Sequence, residues 1–284
     1  MNSNLKFSKA FKICSFSTFQ VDNTVLYNNS IVSNEYTGIA ITASSNNKII
    51  QNMVKGNGKY GIHVSNDFTK SANNTIKSNT INDNEDHGLY IGGIYTDIVS
   101  NTIKYNEEDG IHILEAGSRT TIQQNTIIDN EDNAIQVLSN YVSIKLNTID
   151  GDTSEMAILL NTARSASVTN NTIEGGSQGI KVQNSTNVFI YNNTVKSNSG
   201  YGIYLLLGSH SAEIKSNTVK DNEDDAIYVL SSNSADIADN TIEDNNGYGI
   251  FGQTSKLIEF KSNTLTENDG GVKFSDCDYC NLTS

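Results

Sequence analysis

The residues with the clearest potential for chemistry are histidines and tyrosines between positions 59 and 113. Three of the four histidines in the chain lie in this part of the sequence. Histidine takes up a proton near neutral pH, and a nearby tyrosine hydroxyl can deliver one. A contact that stabilises developing negative charge completes the set of groups needed to abstract a proton from carbon. The candidate catalytic residues are Tyr60, His63, His87, Tyr90, Asp109 and His112, and Lys59 is the candidate cationic contact for a substrate.

Carboxylates form the second group of candidates. Short acidic runs such as Glu85-Asp86 and Glu131-Asp132 recur along the chain. Carboxylates on adjoining turns can bind calcium or act as the acid and base of a glycosidase, and they also occur simply as solubilising turn residues. These three interpretations stay open at the level of sequence. The sequence indicates no certain cofactor, and the candidate calcium ligands are Asp86, Glu108 and Asp132.

Two short patterns repeat along the chain. The first is asparagine, usually a small residue, and an aliphatic residue, as in Asn101-Thr102-Ile103. The second is Gly or Ala, an aliphatic residue, any residue and usually another aliphatic residue, as in Gly110-Ile111-His112-Ile113. Each pattern occurs eleven times at steps of 22 to 24 residues, with one step of 27. Two independent markers with the same count and period identify a repeat architecture.

The period predicts a solenoid of short β-strands. Within each repeat, short alternating apolar runs are interrupted by Asn, Gly, Ser and Asp, which leaves no room for a helix. Three short strands in about 23 residues make one coil, so we predict an all-β solenoid of about 11 coils. Stacked coils bury continuous aliphatic columns. The repeated asparagine can bond to its own coil and to the next one, and it tolerates a left-handed backbone.

This architecture would gather the candidate catalytic residues on one face. Equivalent positions of successive coils lie about 4.8 Å apart, so aligned repeats predict which side chains are neighbours. The outward position of the second marker gives one column, and the position before its Gly or Ala gives the next. The predicted columns are His63, Tyr90 and His112, and beside them Tyr60, His87 and Asp109.

Aromatic residues gather on the equivalent face of later coils. Aromatic rings in register can stack on sugar rings, or they can pack across the coils and stiffen the sheet. Both interpretations stay open. The candidate substrate-binding residues here are Tyr201, Tyr204, Tyr228, Tyr248 and Phe251.

The repeats resemble those of right-handed parallel β-helix proteins of the pectate-lyase-like superfamily. Residues 98–113 follow the pattern I-x-x-N-x-I-x-x-N-x-x-x-G-I-x-V, with isoleucine at the last place. The resemblance covers residues 21–275 and implies a single-stranded right-handed parallel β-helix. It leaves residues 1–20 as an N-terminal cap segment and residues 276–284 as a tail or the start of a further coil. Such repeats occur in polysaccharide lyases, mannuronan C5-epimerases, glycoside hydrolases, phage tailspikes and surface proteins, so fold alone does not select an activity.

The resemblance implies a polysaccharide partner and an extracellular or cell or virion surface location. Residues 60–63 keep only the first two residues of the epimerase motif Y-G-F-D-P-H. The leading hypothesis is a β-helix that binds a polysaccharide along one sheet and acts as a lyase or C5-epimerase through its histidines and tyrosines. The alternatives are a non-catalytic spike, stalk or filament module and a glycoside hydrolase that uses paired carboxylates.

Composition excludes several other classes of protein. The chain has 40 asparagines, no proline, a net charge of −13 and two arginines, Arg119 and Arg164, which argues against nucleic acid as a partner. No apolar run is long enough for membrane insertion. The apolar residues from Leu5 to Cys14 predict an amphipathic cap, and a signal peptide is the competing interpretation. The C-terminus has no evident cap, which indicates an excised domain, a truncated reading frame or a unit that associates end to end. Cys277 and Cys280 are predicted to be either a labile disulfide or two free thiols.

Overall fold

The computed structural model of the protein describes residues 6–7, 12–13, 16–66, 71–151 and 155–283. Within these ranges the chain forms strands and turns but no helix. The described ranges therefore hold no helix with the length and apolar character needed to cross a membrane. The chain divides into two compact units, residues 1–143 and 144–284, which are described one after the other.

The first unit consists of strands of two to four residues. In chain order they are β1 (Lys6–Phe7), β2 (Lys12–Ile13), β3 (Phe16–Phe19), β4 (Val25–Tyr27), β5 (Ser30–Val32), β6 (Ile39–Thr42), β7 (Lys48–Ile50), β8 (Met53–Lys55), β9 (Ile62–Ser65), β10 (Thr75–Lys77), β11 (Thr80–Asn82), β12 (Leu89–Ile91), β13 (Asp97–Val99), β14 (Thr102–Lys104), β15 (Ile111–Ile113), β16 (Thr121–Gln123), β17 (Thr126–Ile128) and β18 (Ile135–Val137).

Every third strand joins the same parallel sheet. Sheet A contains β1, β4, β7, β10, β13 and β16, and sheet B contains β2, β5, β8, β11, β14 and β17. Sheet C contains β3, β6, β9, β12, β15 and β18. One strand from each sheet therefore makes one coil, and each strand pairs with its counterpart in the next coil.

The second unit repeats this arrangement. Its strands are β19 (Ser143–Lys145), which contains the boundary residue, β20 (Thr148–Asp150), β21 (Met156–Asn161), β22 (Ser167–Thr169), β23 (Thr172–Glu174), β24 (Gln178–Gln183), β25 (Phe189–Tyr191), β26 (Thr194–Lys196), β27 (Ile203–Leu206), β28 (Glu213–Lys215), β29 (Thr218–Lys220), β30 (Ile227–Leu230), β31 (Asp236–Ala238), β32 (Thr241–Glu243), β33 (Tyr248–Gln253), β34 (Glu259–Lys261), β35 (Thr264–Thr266), β36 (Gly270–Ser275) and β37 (Asn281–Thr283). Here too, each strand pairs in parallel with the third strand after it. The all-β solenoid of about 11 coils with three short strands per coil is thus confirmed.

Aliphatic side chains fill the interior of each unit. In sheet C of the first unit, five of them pair in register and are fully buried. Burying one such side chain contributes about 1.5–3 kcal/mol to stability, so the stacked columns drive the fold. This buried column consists of Ile39, Ile62, Leu89, Ile111 and Ile135.

Buried asparagines connect successive coils, as the sequence predicts. The side-chain oxygen of Asn101 accepts hydrogen bonds from the backbone and side-chain N–H groups of Asn79, at 2.9 and 3.0 Å. Its amide donates to the carbonyl of Ile76 and to the side-chain oxygen of Asn125. The same ladder runs through positions 147, 171, 193, 217, 240 and 263 of the second unit.

The left-handed backbone of this turn lies one residue earlier than the sequence suggested. Gln51, Ser78 and Ser100 have φ near 55°, and each precedes a ladder asparagine. The preceding residue turns the corner, which lets the asparagine point its amide into the stack. The asparagine side chain is therefore needed for hydrogen bonding between coils, and the tolerance of asparagine for positive φ is not used.

Strands also occur near both ends of the chain. β1 and β2 pair with β4 and β5, and β37 pairs with β34. The side chains of the predicted cap between Leu5 and Cys14 lie outside the described residues, and the boundaries at 20/21 and 275/276 stay predictions. Of the two alternatives for the cysteines, the structure contains the disulfide between Cys277 and Cys280.

Candidate active site

The candidate catalytic residues come together on sheet C of the first unit. Strand pairing places Tyr90 directly between His63 and His112. The turn before each strand places a second group beside this column, because successive turns stack as the strands do. All three residues of that second group contact the first: Tyr60, His87 and Asp109.

The rings of this site stack on one another. Tyr60 and Tyr90 have centroids 4.4 Å apart and planes 8° apart. His87 stacks on Tyr90 at 5.1 Å and also at 8°. His63 and His112 are tilted against Tyr90 at 5.4 and 5.2 Å. Tyr90 therefore contacts four other rings of this site.

Asp109 orients His112. One carboxylate oxygen of Asp109 lies 2.6 Å from Nδ1 of His112, and the other accepts the backbone and side-chain N–H groups of Asn133 at 3.0 and 2.8 Å. The Asp109 side chain is 1% exposed and the His112 side chain 12%. A carboxylate can only accept, so Nδ1 of His112 carries a proton, and in the neutral ring Nε2 keeps its lone pair. His112 is thus held as a proton acceptor.

His87 has the opposite tautomer. Its Nδ1 accepts the backbone N–H of Asp109 at 3.0 Å, so the proton of the neutral ring sits on Nε2, which lies 3.6 Å from Asp86. Burial lowers the pKa of His87 below its usual value, and nearby His112 adds to this, while Asp109 and Asp86 oppose it. His87 is therefore a neutral donor that also fixes the backbone of Asp109.

The two tyrosines stay protonated at neutral pH. Burial raises the pKa of Tyr60 and of Tyr90, and the charge of Asp86 adds to the shift of both hydroxyls. The two side chains also share a hydrogen bond. Each hydroxyl can therefore donate a proton but does not act as a phenolate base near pH 7.

Acidic residues surround the site. Burial raises the pKa of Glu108, and the carboxylates of Asp86 and Asp109 raise it further. The ammonium group of Lys59 lies 4.5 Å from the ring centroid of Tyr60 and brings positive charge to this edge. Asp132 accepts a hydrogen bond from the amide of Asn133 at 3.0 Å.

The potential metal-ligand atoms that lie close together belong to other residues than the predicted calcium ligands. Among the described residues, potential ligand atoms of His87, Asp109 and His112 lie within 4.8 Å of one another. Two ligands of one tetrahedral Zn²⁺ at about 2.1 Å stand more than about 3 Å apart, whereas Asp109 and His112 are separated by 2.6 Å. The pair as it stands is a hydrogen bond. The predicted calcium ligands, Asp86, Glu108 and Asp132, do not form such a compact group within the described ranges and stay a prediction.

The aromatic residues of the second unit also stack on each other. Tyr204 and Tyr228 are 5.1 Å apart with planes at 7°, and Tyr228 and Phe251 are 5.0 Å apart at 21°. Tyr228 is only 7% exposed. Tyr201 contacts both tyrosines, and Tyr248 contacts Phe251. A sugar needs an uncovered ring face, so this geometry favours packing between coils.

Sequence reasoning missed two parts of the site. Asn133 fixes the orientation of Asp109, and it could have been found because it follows Asp109 in the same column. A cavity of about 370 Å³ adjoins His63 and Tyr90. The sequence indicates the cavity in one way. Ser65 and Gly92 are small, whereas the equivalent position of the following coil is Leu114.

Comparison with known proteins gives similarity in fold. A family model described as "Right handed beta helix region" matches residues 3–149 and 133–283, while no curated protein sequence matches the chain. The periplasmic alginate epimerase AlgG is 14% identical, with a TM-score of 0.61 over 87% of this chain and 77% of its own. The AlgE4 A-module, a mannuronan C-5 epimerase from Azotobacter vinelandii, is 11% identical, with a TM-score of 0.57 over 90% and 91%. A mutant DFA-IIIase from Arthrobacter chlorophenolicus A6, in complex with DFA-III, is 11% identical, with a TM-score of 0.64 over 88% and 76%.

Proposed function

Because the chain belongs to the right-handed β-helix family, we propose that it binds a polysaccharide at sheet C of its first unit and processes it by proton abstraction, as a lyase or C5-epimerase. The observation that carries this proposal is the contact of 2.6 Å between buried Asp109 and His112. It prepares an imidazole with a free lone pair beside two protonated tyrosines. AlgG and AlgE4, which share the fold, are epimerases of alginate and mannuronan.

His112 is the proposed base. Its Nε2 takes the proton from C5 of a uronate ring, and Asp109 stabilises the imidazolium that forms. Asp109 is a positioning residue in this scheme, because it is buried and does not face a substrate. Lys59 offers the positive charge that the uronate carboxylate needs as charge develops on it.

Tyr90 is the proposed acid. In a lyase, the electrons of the C5–H bond form the C4–C5 double bond, the C4–O bond breaks, and the departing oxygen takes the proton of Tyr90. In an epimerase, His112 takes the proton from one face of C5 and the hydroxyl of Tyr90 delivers a different proton to the opposite face. A proton then passes from His112 to the Tyr90 phenolate through solvent, which restores both groups. Tyr60 stacks on Tyr90 and keeps it in place, His87 supports Asp109, and His63 lies against the other edge of Tyr90.

A screen against polysaccharides tests this function. The purified protein is incubated with polyuronates and neutral glycans, with and without calcium, and the products are examined by ultraviolet absorbance of unsaturated ends, by reducing ends and by NMR. Absorbance shows elimination, and NMR without absorbance shows epimerisation. The matched pair of variants is His112→Gln, expected to abolish activity, and His210→Gln, expected to preserve it because His210 accepts a backbone N–H from Asn233 in the second unit.

Other outcomes support the alternatives. Reducing ends without absorbance, lost in Asp86→Asn, would support a glycoside hydrolase. No product together with concentration-dependent assembly would support a structural module that associates end to end. A polysaccharide-processing role implies an extracellular or surface location, and the periplasmic location of AlgG supports that part of the proposal.

A further inference from the structure

The cavity beside Tyr90 has the size of a ligand site. It measures about 370 Å³ and opens on the outer side of sheet C. Small-molecule sites typically measure about 300–1,000 Å³. It lies on the opposite side of Tyr90 and His63 from the acidic turn that holds Asp109. The lining residues are His63, Ser65, Asn66, Tyr90, Gly92, Leu114 and Ala116.

Small residues open this cavity. Ser65, Gly92 and Leu114 each follow the last inward residue of their strand, so they occupy equivalent outward places on three successive coils. A Cβ at Gly92 would lie 3.4 Å from the side chain of Leu114, which is ordinary contact distance. The leucine thus forms one wall of a hollow whose floor is glycine and serine. Larger side chains at these two places would fill it.

The lining suits an uncharged sugar ring. Leu114 and Ala116 offer apolar surface, and Asn66 offers an amide for hydroxyl or acetamido substituents. Among the described residues that line the cavity there is no lysine, arginine, aspartate or glutamate. A carboxylate placed in this cavity would gain no partner charge from them.

The charges around His112 lead to the same conclusion. The carboxylates of Asp86, Glu108 and Asp109 lie close together beside His112. The ammonium group of Lys59 lies against the ring of Tyr60. One uronate carboxylate can pair with Lys59. A second carboxylate on the neighbouring ring would meet net negative charge on one side and an uncharged cavity on the other.

We infer that the cavity binds an uncharged sugar ring next to the reacting uronate, so that the substrate is a heteropolysaccharide in which neutral or acetamido sugars separate the uronates. This inference rests on the proposed function and specifies its substrate class. It makes Ser65, Gly92 and Leu114 determinants of specificity. It also predicts that polymers made only of uronates are poor substrates.

Two polymers and two variants test the inference. Product formation is measured on a chain of alternating glucuronate and N-acetylglucosamine and on polymannuronate, at equal uronate concentration. We expect at least a tenfold higher kcat/KM on the alternating polymer, since filling or emptying an apolar pocket changes discrimination by about 10–200-fold. Gly92→Leu fills the cavity and removes this preference. The matched control, Gln183→Leu, alters the equivalent outward place on β24 in the second unit and leaves the preference unchanged.

The outcomes separate the inference from the proposed function. Equal rates on both polymers, or an unaltered preference in folded Gly92→Leu, overturn the inference and leave the proposed function intact. No product and no calorimetric binding of oligosaccharides from either polymer overturn both. Thermal unfolding checks the fold, and Ala116→Leu fills the same cavity from a different strand connection if Gly92→Leu is unstable.

Discussion

Replacing Asp109 with asparagine should reverse the tautomer of His112. In the native site one oxygen of Asp109 accepts two N–H groups from Asn133 and the other faces Nδ1 of His112. An asparagine side chain has a single oxygen, and this oxygen would still accept the two N–H groups of Asn133. Its NH₂ group then points at His112, so Nδ1 must accept and the proton moves to Nε2. The atom that should take the substrate proton is then blocked.

The expected effect on activity is large and the effect on stability is small. General base catalysis contributes about 10²–10⁴-fold, which corresponds to about 3–5 kcal/mol in the activation free energy. A hydrogen bond to a charged group contributes about 1.5–3 kcal/mol to stability, and losing it is offset because a buried charge is removed as well. We therefore expect the free energy of unfolding of Asp109→Asn to change by less than about 2 kcal/mol.

Two measurements check this prediction. The ¹⁵N chemical shifts of the His112 ring report which nitrogen carries the proton, without any need for a substrate, and kcat reports the catalytic loss. Asp225→Asn is the matched control, because Asp225 occupies the same column in the second unit and accepts the N–H of Tyr248 with no histidine beside it. An unchanged His112 tautomer in folded Asp109→Asn, or full activity of this variant, would refute the reasoning.

Four further predictions follow from the same contacts. Tyr90→Phe keeps the ring stack but loses the proposed acid and its hydrogen bond to Tyr60. We expect kcat to fall about 10²-fold or more, while the free energy of unfolding falls by only about 0.5–1.5 kcal/mol. Burial raises the pKa of Asp225 above its unfolded value, so its ionisation opposes folding. The native protein should therefore lose stability relative to Asp225→Asn as the pH rises from 4 to 7, as measured by urea unfolding. The pKa of His87 is lowered, so stability is full above about pH 6.5 and declines as pH falls below it; His87→Gln should flatten that decline in urea titrations at pH 5–7. Asn101→Ala leaves buried backbone groups of Asn79 and Ile76 without partners and should lower the free energy of unfolding by about 2–6 kcal/mol, measured by urea denaturation.

The fold was readable from the sequence because its signals are local and repeated. Ile62, Leu89 and Ile111 show the inward positions, and the ladder asparagines mark every turn. Any single repeat is ambiguous, but an error in one would be corrected by its neighbours. The same register placed Tyr90 between His63 and His112 and identified the face of the candidate site.

The roles within the site were not readable in the same way. A column assignment places Asp109 beside His87, but only the orientation of the carboxylate shows that it holds His112 and turns away from solvent. The aromatic column of the second unit illustrates the same limit. Tyr204 and Tyr228 are predicted neighbours, yet whether their faces are free for a sugar depends on side-chain torsions that a repeat pattern does not encode.

The asparagine ladder bears on how each unit acquires its structure. The side-chain hydrogen bonds of the ladder join residues of neighbouring coils, typically 22 to 27 positions apart, so no part of a ladder waits for a distant partner. Such closure between adjacent coils favours stepwise growth from a formed coil. During synthesis, each newly emerged repeat can dock on the one before it, which limits the time for which its apolar strand edges are exposed to other chains. A substitution that breaks one rung, such as Asn101→Ala, should therefore slow growth at that coil, at a stage when the preceding coils are already folded.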